Sequence, residues 1–147
     1  MYRMIRDTAT DLDQIGVVID GATHTATQLP LALWFRVVKD LPYQIDRKPR
    51  EVIARPIYSV MFAEERNPLT NKKGIDCKKK SVLMAAWLHR HRIPYRLIAS
   101  SRRPDKRITH VFPQFYAGGN WINADATYSD YYLGQPKQLT AAEILPE

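Results

Sequence analysis

The apolar pattern of this chain changes period at Ile93-Pro94, and that change sets the layout of any fold it can adopt. Upstream, Cys77 to about His91 reads as a long helix. Ser81, Met84, Ala85 and Leu88 lie on the stripe that begins at Cys77, and Val82, Ala86 and Trp87 widen it. Downstream, Tyr95 to Ser101 reads as a strand, Arg102 to Lys106 as a basic turn, and Ile108 to Tyr116 as a second strand. Gly118-Gly119 then turns the chain into a third strand, Asn120 to Asp125. Helices followed by an antiparallel meander make an α+β fold, with the long cysteine-bearing helix packed on a small sheet.

The region before Cys77 is helical in pattern. Asp7 to Ile19 carries Leu12, Ile15, Val18 and Ile19 at helical spacing, with Thr8 or Thr10 as a cap. Thr23 to Gln28 is polar and reads as loop. Pro30 suits the first turn of a helix running to about Leu41, with Leu33, Trp34, Val37 and Val38 as its inward set. Leu41 to Pro49 reads as a connection. A third helix is expected from Arg55-Pro56 to near Arg66, turning Ile57, Val60 and Met61 inward. Asn67 to Ile75 holds Pro68, Asn71 and Gly74 and reads as an exposed loop that delivers the chain to Asp76-Cys77. No repeat, low-complexity tract or linker divides the chain, so residues 1–147 read as one domain.

Composition narrows the function classes. No apolar run approaches the ~18 residues that span a bilayer. The charged start, MYRMIRDTATDLDQIG, lacks the apolar stretch of a secretion signal, which implies a chain in a cytoplasm or in a particle assembled there. The net charge of +7, from 22 Lys and Arg against 15 acids, favours anionic partners: nucleic acid, acidic glycans or an acidic protein surface. The charge is concentrated in Lys72-Lys73, Lys78-Lys79-Lys80 and Arg102 to Arg107, although such runs are most often solvated faces. His89 and His91 lie two apart and point to different sides of their helix, which speaks against a metal site. No phosphate loop or dinucleotide motif is present, so neither cofactor nor metal is expected.

Cys77 is the only cysteine, so an intrachain disulfide is excluded. Most free cysteines are small buried hydrophobes. A thiol at a helix start, however, meets unpaired backbone N–H groups and a dipole that favour thiolate, and Lys78, Lys79 and Lys80 add positive charge in the same turn. The hairpin supplies partners. A two-residue turn at Gly118-Gly119 sets Ala117 opposite Asn120, Phe112 opposite Asp125 and His110 opposite Thr127. His110 and Asp125 are then diagonal neighbours on one face, within reach of an imidazole–carboxylate bond. A three-residue turn without a bulge would put Asp125 on the other face. Cys77, His110 and Asp125 are therefore the candidate catalytic residues: nucleophile, base and orienting acid. The backbone N–H of Cys77 is a natural half of an oxyanion hole, and Asn71, Gln44 or Trp34 could supply the other half. Against this stand ordinary alternatives, a surface or core histidine and an aspartate that caps a turn.

The span from Gly74 to about Tyr131 resembles the core of the transglutaminase-like superfamily, a branch of the papain-like cysteine enzymes. Bacterial and phage members show G-D-C-x-x-K/F opening a long helix, then I-P-x-R, H-V/A-x-P/V-x, G-G-x-W and D-A/P-T. This chain has Asp76-Cys77 with Lys80, Ile93-Pro94-Tyr95-Arg96, His110-Val111-Phe112-Pro113-Gln114, Gly118-Gly119-Asn120-Trp121 and Asp125-Ala126-Thr127 in the same order. It departs from the pattern where Ile75 separates Gly74 from Asp76, and where Lys78 and Lys79 replace residues often acidic in relatives. The first 70 residues show no assignable family motif. The resemblance implies a papain-like fold and acyl transfer from an amide through a thioester, by hydrolysis or transfer to an amine, on a protein or peptide substrate. The set of motifs is similar to the small phage proteins of the family. That leaves a rival reading, a virion or assembly protein using the fold as a binding module, and a third, a nucleic-acid-binding domain.

Two further stretches fall at the rim of such a site. The turn from Arg102 to Arg107 leads into His110, so its cations should steer an acidic substrate or simply be solvated. The run from Tyr128 to Tyr132 is either an aromatic wall beside Asp125 or a packed chain exit, with packing the expectation.

Overall fold

The computed structural model describes residues 1–8, 10, 28–44, 56 and 74–147. Among these residues the helices α1 (Tyr2–Thr8), α2 (Gln28–Asp40) and α3 (Cys77–Arg90) precede the strands β1 (Tyr95–Ser101), β2 (His110–Ala117), β3 (Asn120–Asn123) and β4 (Ala141–Ile144). The strands form one antiparallel sheet in the order β3-β2-β1-β4, which is the expected α+β layout with an additional edge strand.

A helix that the pattern did not suggest, α1, begins at Tyr2. Tyr2 and Ile5, one turn apart, are both buried. The Tyr2 hydroxyl accepts the Leu97 backbone N–H at 2.7 Å, which docks α1 on β1. Thr8, expected to cap a helix start, instead ends α1. The remainder of the expected helix to Ile19, the Thr23 loop up to 27, and the loop from Asn67 up to 73 lie outside the described residues. So does the Arg55 helix apart from Pro56, which is helical and buried. In α2, Pro30 sits in the first turn, where its missing N–H has no partner to lose. Leu33, Trp34 and Val37 are buried, and Val38 packs partly exposed against the core.

The structure corrects the reading of α3 as an amphipathic helix with a solvated lysine run. Every residue from Lys79 to Leu88 is buried, because α1, α2, β1 and β2 all pack around it. Leu83, Met84 and Leu88 are fully buried, each contributing about 1.5–3 kcal/mol of apolar burial. The helix ends on Arg92 at φ 58, with Arg92 N–H bonded to the His89 carbonyl and Ile93 N–H bonded to the Leu88 carbonyl. This is the Schellman closure that glycine usually makes.

Gly118 and Gly119 take φ 58 and 83, the two positive values a two-residue hairpin turn requires. Ala117 pairs with Asn120 and Gln114 with Asn123, and Ala124 N–H still reaches the Pro113 carbonyl at 2.9 Å. The register therefore carries Phe112 opposite Asp125, as the turn length demanded. Leu97, Val111 and Phe115 join the core against α3. The alternate residues Ile98, Ser100, His110, Phe112 and Gln114 share the opposite face. The segment after Thr127 crosses that second face before returning as β4, and Lys137 lies over the Phe112 ring. Among the described residues no helix is long and apolar enough to cross a membrane.

Candidate active site

Cys77 is held at the α3 N-terminus by contacts on both sides. Gly74 takes φ +139, and a Cβ there would lie 2.3 Å from the Pro42 carbonyl oxygen, so only glycine fits. Ile75, the residue that departs from the family pattern, is buried and exchanges backbone bonds with Pro42 and Gln44, both 3.0 Å. Asp76 caps the helix through Lys79 N–H at 3.0 Å. Its carboxylate also draws in the Lys78 and Lys79 ammonium groups, at 3.2 and 3.8 Å. The positive field expected from these two lysines is thus largely met by Asp76. Lys80 instead lies fully buried and donates to the Ala126 and Thr127 carbonyls at 2.9 and 3.0 Å, fastening the strand end that carries Asp125. Burial lowers its pKa to about 8 despite the pull of Asp125.

His110 and Asp125 meet as the hairpin register requires, with His110 Nε2 donating to Asp125 Oδ2 at 2.7 Å. Asp125 is buried and its four lone-pair directions are filled. Oδ2 also accepts from Lys137 Nζ at 2.6 Å, while Oδ1 accepts from Thr127 N–H at 3.1 Å and Thr127 Oγ1 at 2.6 Å. Its backbone carbonyl accepts from Trp34 Nε1 at 2.8 Å. Burial alone would raise its pKa, but the His110 and Lys137 contacts outweigh that and hold it well below the usual carboxylate range. Asp125 is therefore an ionised acceptor, and His110 Nε2 must carry the proton. Nδ1 is the nitrogen left for Cys77. Burial pushes His110 down, yet the hydrogen bonds to Asp125 and Cys77, with their charges, raise its pKa to about 9. The local motif of an aspartate bonding two residues on is also present, through Thr127, so Asp125 closes a turn and bonds the imidazole at once.

Lys137 was not foreseen. Its side chain is 3% exposed, lies on Asp125, and has its ammonium 4.9 Å from the Phe112 ring centre and 4.2 Å from that of Tyr131. Trp34, a sequence candidate for the oxyanion hole, is instead committed to the Asp125 carbonyl. Asn71 lies outside the described residues. Gln44 contributes its backbone to the Ile75 bridge.

Beside Cys77 and His110 opens a pocket of about 210 Å³. Tyr43, Tyr128 and Tyr131 form one wall, with ring centres 4.6 and 5.2 Å apart along the series. Tyr128 and Tyr131 thus line the pocket while Tyr131 also packs against the core, as the packed reading expected, and Tyr132 points to solvent. The basic turn divides its cations. Arg102 lines the pocket and rests over Tyr131, while Arg103 pairs with Asp105 at the surface. Burial and a hydrogen bond to Tyr128 raise the pKa of Tyr43, keeping it a neutral phenol. His89 lies edge-on to Tyr95 and His91 caps the C-terminus of α3.

A family model described as the transglutaminase-like superfamily matches residues 19–126. The match takes in residues 19–70, where no motif was visible, and stops short of Lys137. No curated protein matches the chain. Among solved structures, a Cytophaga hutchinsonii chain described as a "Putative Cysteine Protease" superposes with a TM-score of 0.59 at 16% identity. The superposition covers 92% of this chain but 42% of that one, so this chain spans about two fifths of its length. At that identity the likeness speaks for the fold alone.

Proposed function

The chain belongs to the transglutaminase-like superfamily, and on that premise we propose that it performs cysteine-dependent acyl transfer on a peptide-type amide. Cys77 is the nucleophile, His110 its proton partner and Asp125 the residue that orients the imidazole. The observation that carries this reading is the 2.7 Å bond from His110 Nε2 to a buried, ionised Asp125, which leaves Nδ1 for the thiol. Thiolate attacks the amide carbon, the Cys77 N–H steadies the oxyanion, and His110 passes its proton to the departing nitrogen. Water, or a second amine, then attacks the thioester, gives its proton to His110 and frees the thiolate. Positioned proton transfer of this kind is worth about 10²–10⁴-fold. Lys137 and Thr127 act as positioning residues, since they hold Asp125 in place without reaching the reacting atoms.

A peptide substrate is supported by the protease-like fold and by the tyrosine-walled pocket beside the thiol. The test is acylation by p-nitrophenyl acetate. A stoichiometric burst of nitrophenolate, with one acetyl located on Cys77 by peptide mass mapping, is expected. Release without a burst, or acetylation spread over lysines, would contradict the reading.

A further inference from the structure

The pocket beside His110 holds a buried hydroxyl for which the fold provides no partner. Ser100 pairs directly with His110 across β1 and β2, so the two side chains stand side by side on one face. Ser100 is 1% exposed, and its Oγ is the one buried side-chain polar atom among the described residues that makes no hydrogen bond. Such an atom is costly to a fold and points to a ligand that satisfies it. Around it Arg102, Lys137 and the His110 imidazolium line the pocket, and among the described residues no lining side chain is a carboxylate. Lys137 is already on Asp125, while Arg102 lies at the rim over Tyr131.

The side of the thiol on which this pocket lies decides what enters it. The imidazole that protonates the departing nitrogen must stand beside that nitrogen, so the group attached to it extends past His110. Ser100 and Thr109, the immediate neighbours of His110 in space and sequence, line that direction. Resting on the catalytic reading above, we propose that this pocket takes the free carboxylate of the leaving amine, with Ser100 Oγ donating and Arg102 pairing. The preferred bond is then the amide of a terminal amino acid whose α-carboxylate is free. In the first step the thiolate displaces that amino acid from the acyl carbon. The C–N bond breaks as the Cys77 thioester forms, and the imidazolium proton goes to the nitrogen. The products are the thioester, the amino acid with a neutral amine and a free carboxylate, and neutral imidazole. Water then gives the free acid, thiolate and imidazolium.

NMR titration of the full chain carrying Cys77→Ala tests the subsite without requiring catalysis. N-acetyl-L-alanine is compared with N-acetyl-L-alanine amide, which differs only at the carboxylate. The acid is expected to bind saturably, about tenfold tighter than the amide, as one charge-assisted pairing provides. Its shifts should centre on the Ser100, Thr109 and Arg102 amides. Adding Ser100→Ala or Arg102→Ala should each remove most of that preference. Ser100→Ala should meanwhile raise Tm, since it deletes the unpartnered hydroxyl, so lost binding would not reflect unfolding. Equal affinity for acid and amide, or unaltered preference in both variants, would overturn the proposal. Failure of the catalytic reading shows elsewhere, as a wild-type protein that forms no acetyl-Cys77.

Discussion

Replacing Lys137 with methionine keeps the aliphatic stem over Phe112 and Tyr131 but removes the ammonium from Asp125. At 2.6 Å, with both groups buried, the pair attracts by about 6 kcal/mol at an effective dielectric of ~20. Taking two ions out of water costs several kcal/mol each, so the net worth of the pair is far smaller than that attraction. The variant suffers because Asp125 stays charged and loses one of four donors. It retains His110 and both Thr127 bonds, which limits the loss to about 2–3 kcal/mol, below the ~3–5 for a fully orphaned buried charge. For a chain of this size that lowers Tm by about 5–10 °C. The assay is a double-mutant cycle with Asp125→Asn, read by urea unfolding at neutral pH. The single variants should couple by about 2 kcal/mol, since a neutral amide has less need of the ammonium. Coupling under ~0.5 kcal/mol, the ordinary scatter of additivity, would mean Lys137 does not act through Asp125.

Three other perturbations follow from the same geometry. Gly74→Ala puts a Cβ 2.3 Å from the Pro42 oxygen at a φ of +139. Thermal melts should therefore show a loss of about 3 kcal/mol or more, and unchanged stability would refute the close approach. Arg92→Gly relieves a left-handed residue in the α3 closure and should raise stability by about 0.5–1 kcal/mol in urea melts, where a decrease would count against the strain argument. His110 has a pKa of about 9 in the folded chain, above the unfolded 6.5. Its stabilisation is therefore complete below pH ~6.5 and is lost as pH rises through about 9. The stability gap between wild type and His110→Gln should narrow over that interval by up to about 3 kcal/mol. Lys80, lowered to about 8, works in the opposite sense as pH rises above 8, and the subtraction removes it because both proteins carry it. A gap that widened with pH would contradict the assigned partners.

The parts legible in sequence were those governed by local rules. The apolar stripe located the start of α3 at Cys77, and the change of period located β1 to both end residues. Gly118-Gly119 specified a turn length, and in a hairpin without a bulge turn length decides whether Asp125 faces His110. What stayed hidden depended on distant partners. Lys137 lies twelve positions past Asp125 in a segment without periodicity, beyond the range of the family match. Its role exists only because the chain crosses the second face of the sheet. Charge pattern misled at Lys79 and Lys80, since a run of lysines reads as solvated unless the carboxylate and carbonyls that receive it are known. β4 escaped because Ala141–Ile144 is a mostly exposed edge strand, defined by backbone pairing to β1 rather than by an apolar alternation. Ser100 gave no signal, because an unpartnered hydroxyl is visible only once everything around it is in place.

The central claim is that His110, held by Asp125, activates the Cys77 thiol. The most direct measurement is the rate of Cys77 alkylation by iodoacetamide near pH 6, where an ordinary thiol with a pKa of ~8.5 is almost wholly protonated. Wild type should label at least about tenfold faster than the same protein unfolded in urea. His110→Ala should fall to the unfolded rate, and Asp125→Asn should lie between the two. Labelling that is slow in wild type, or fast and indifferent to His110→Ala, would contradict the account.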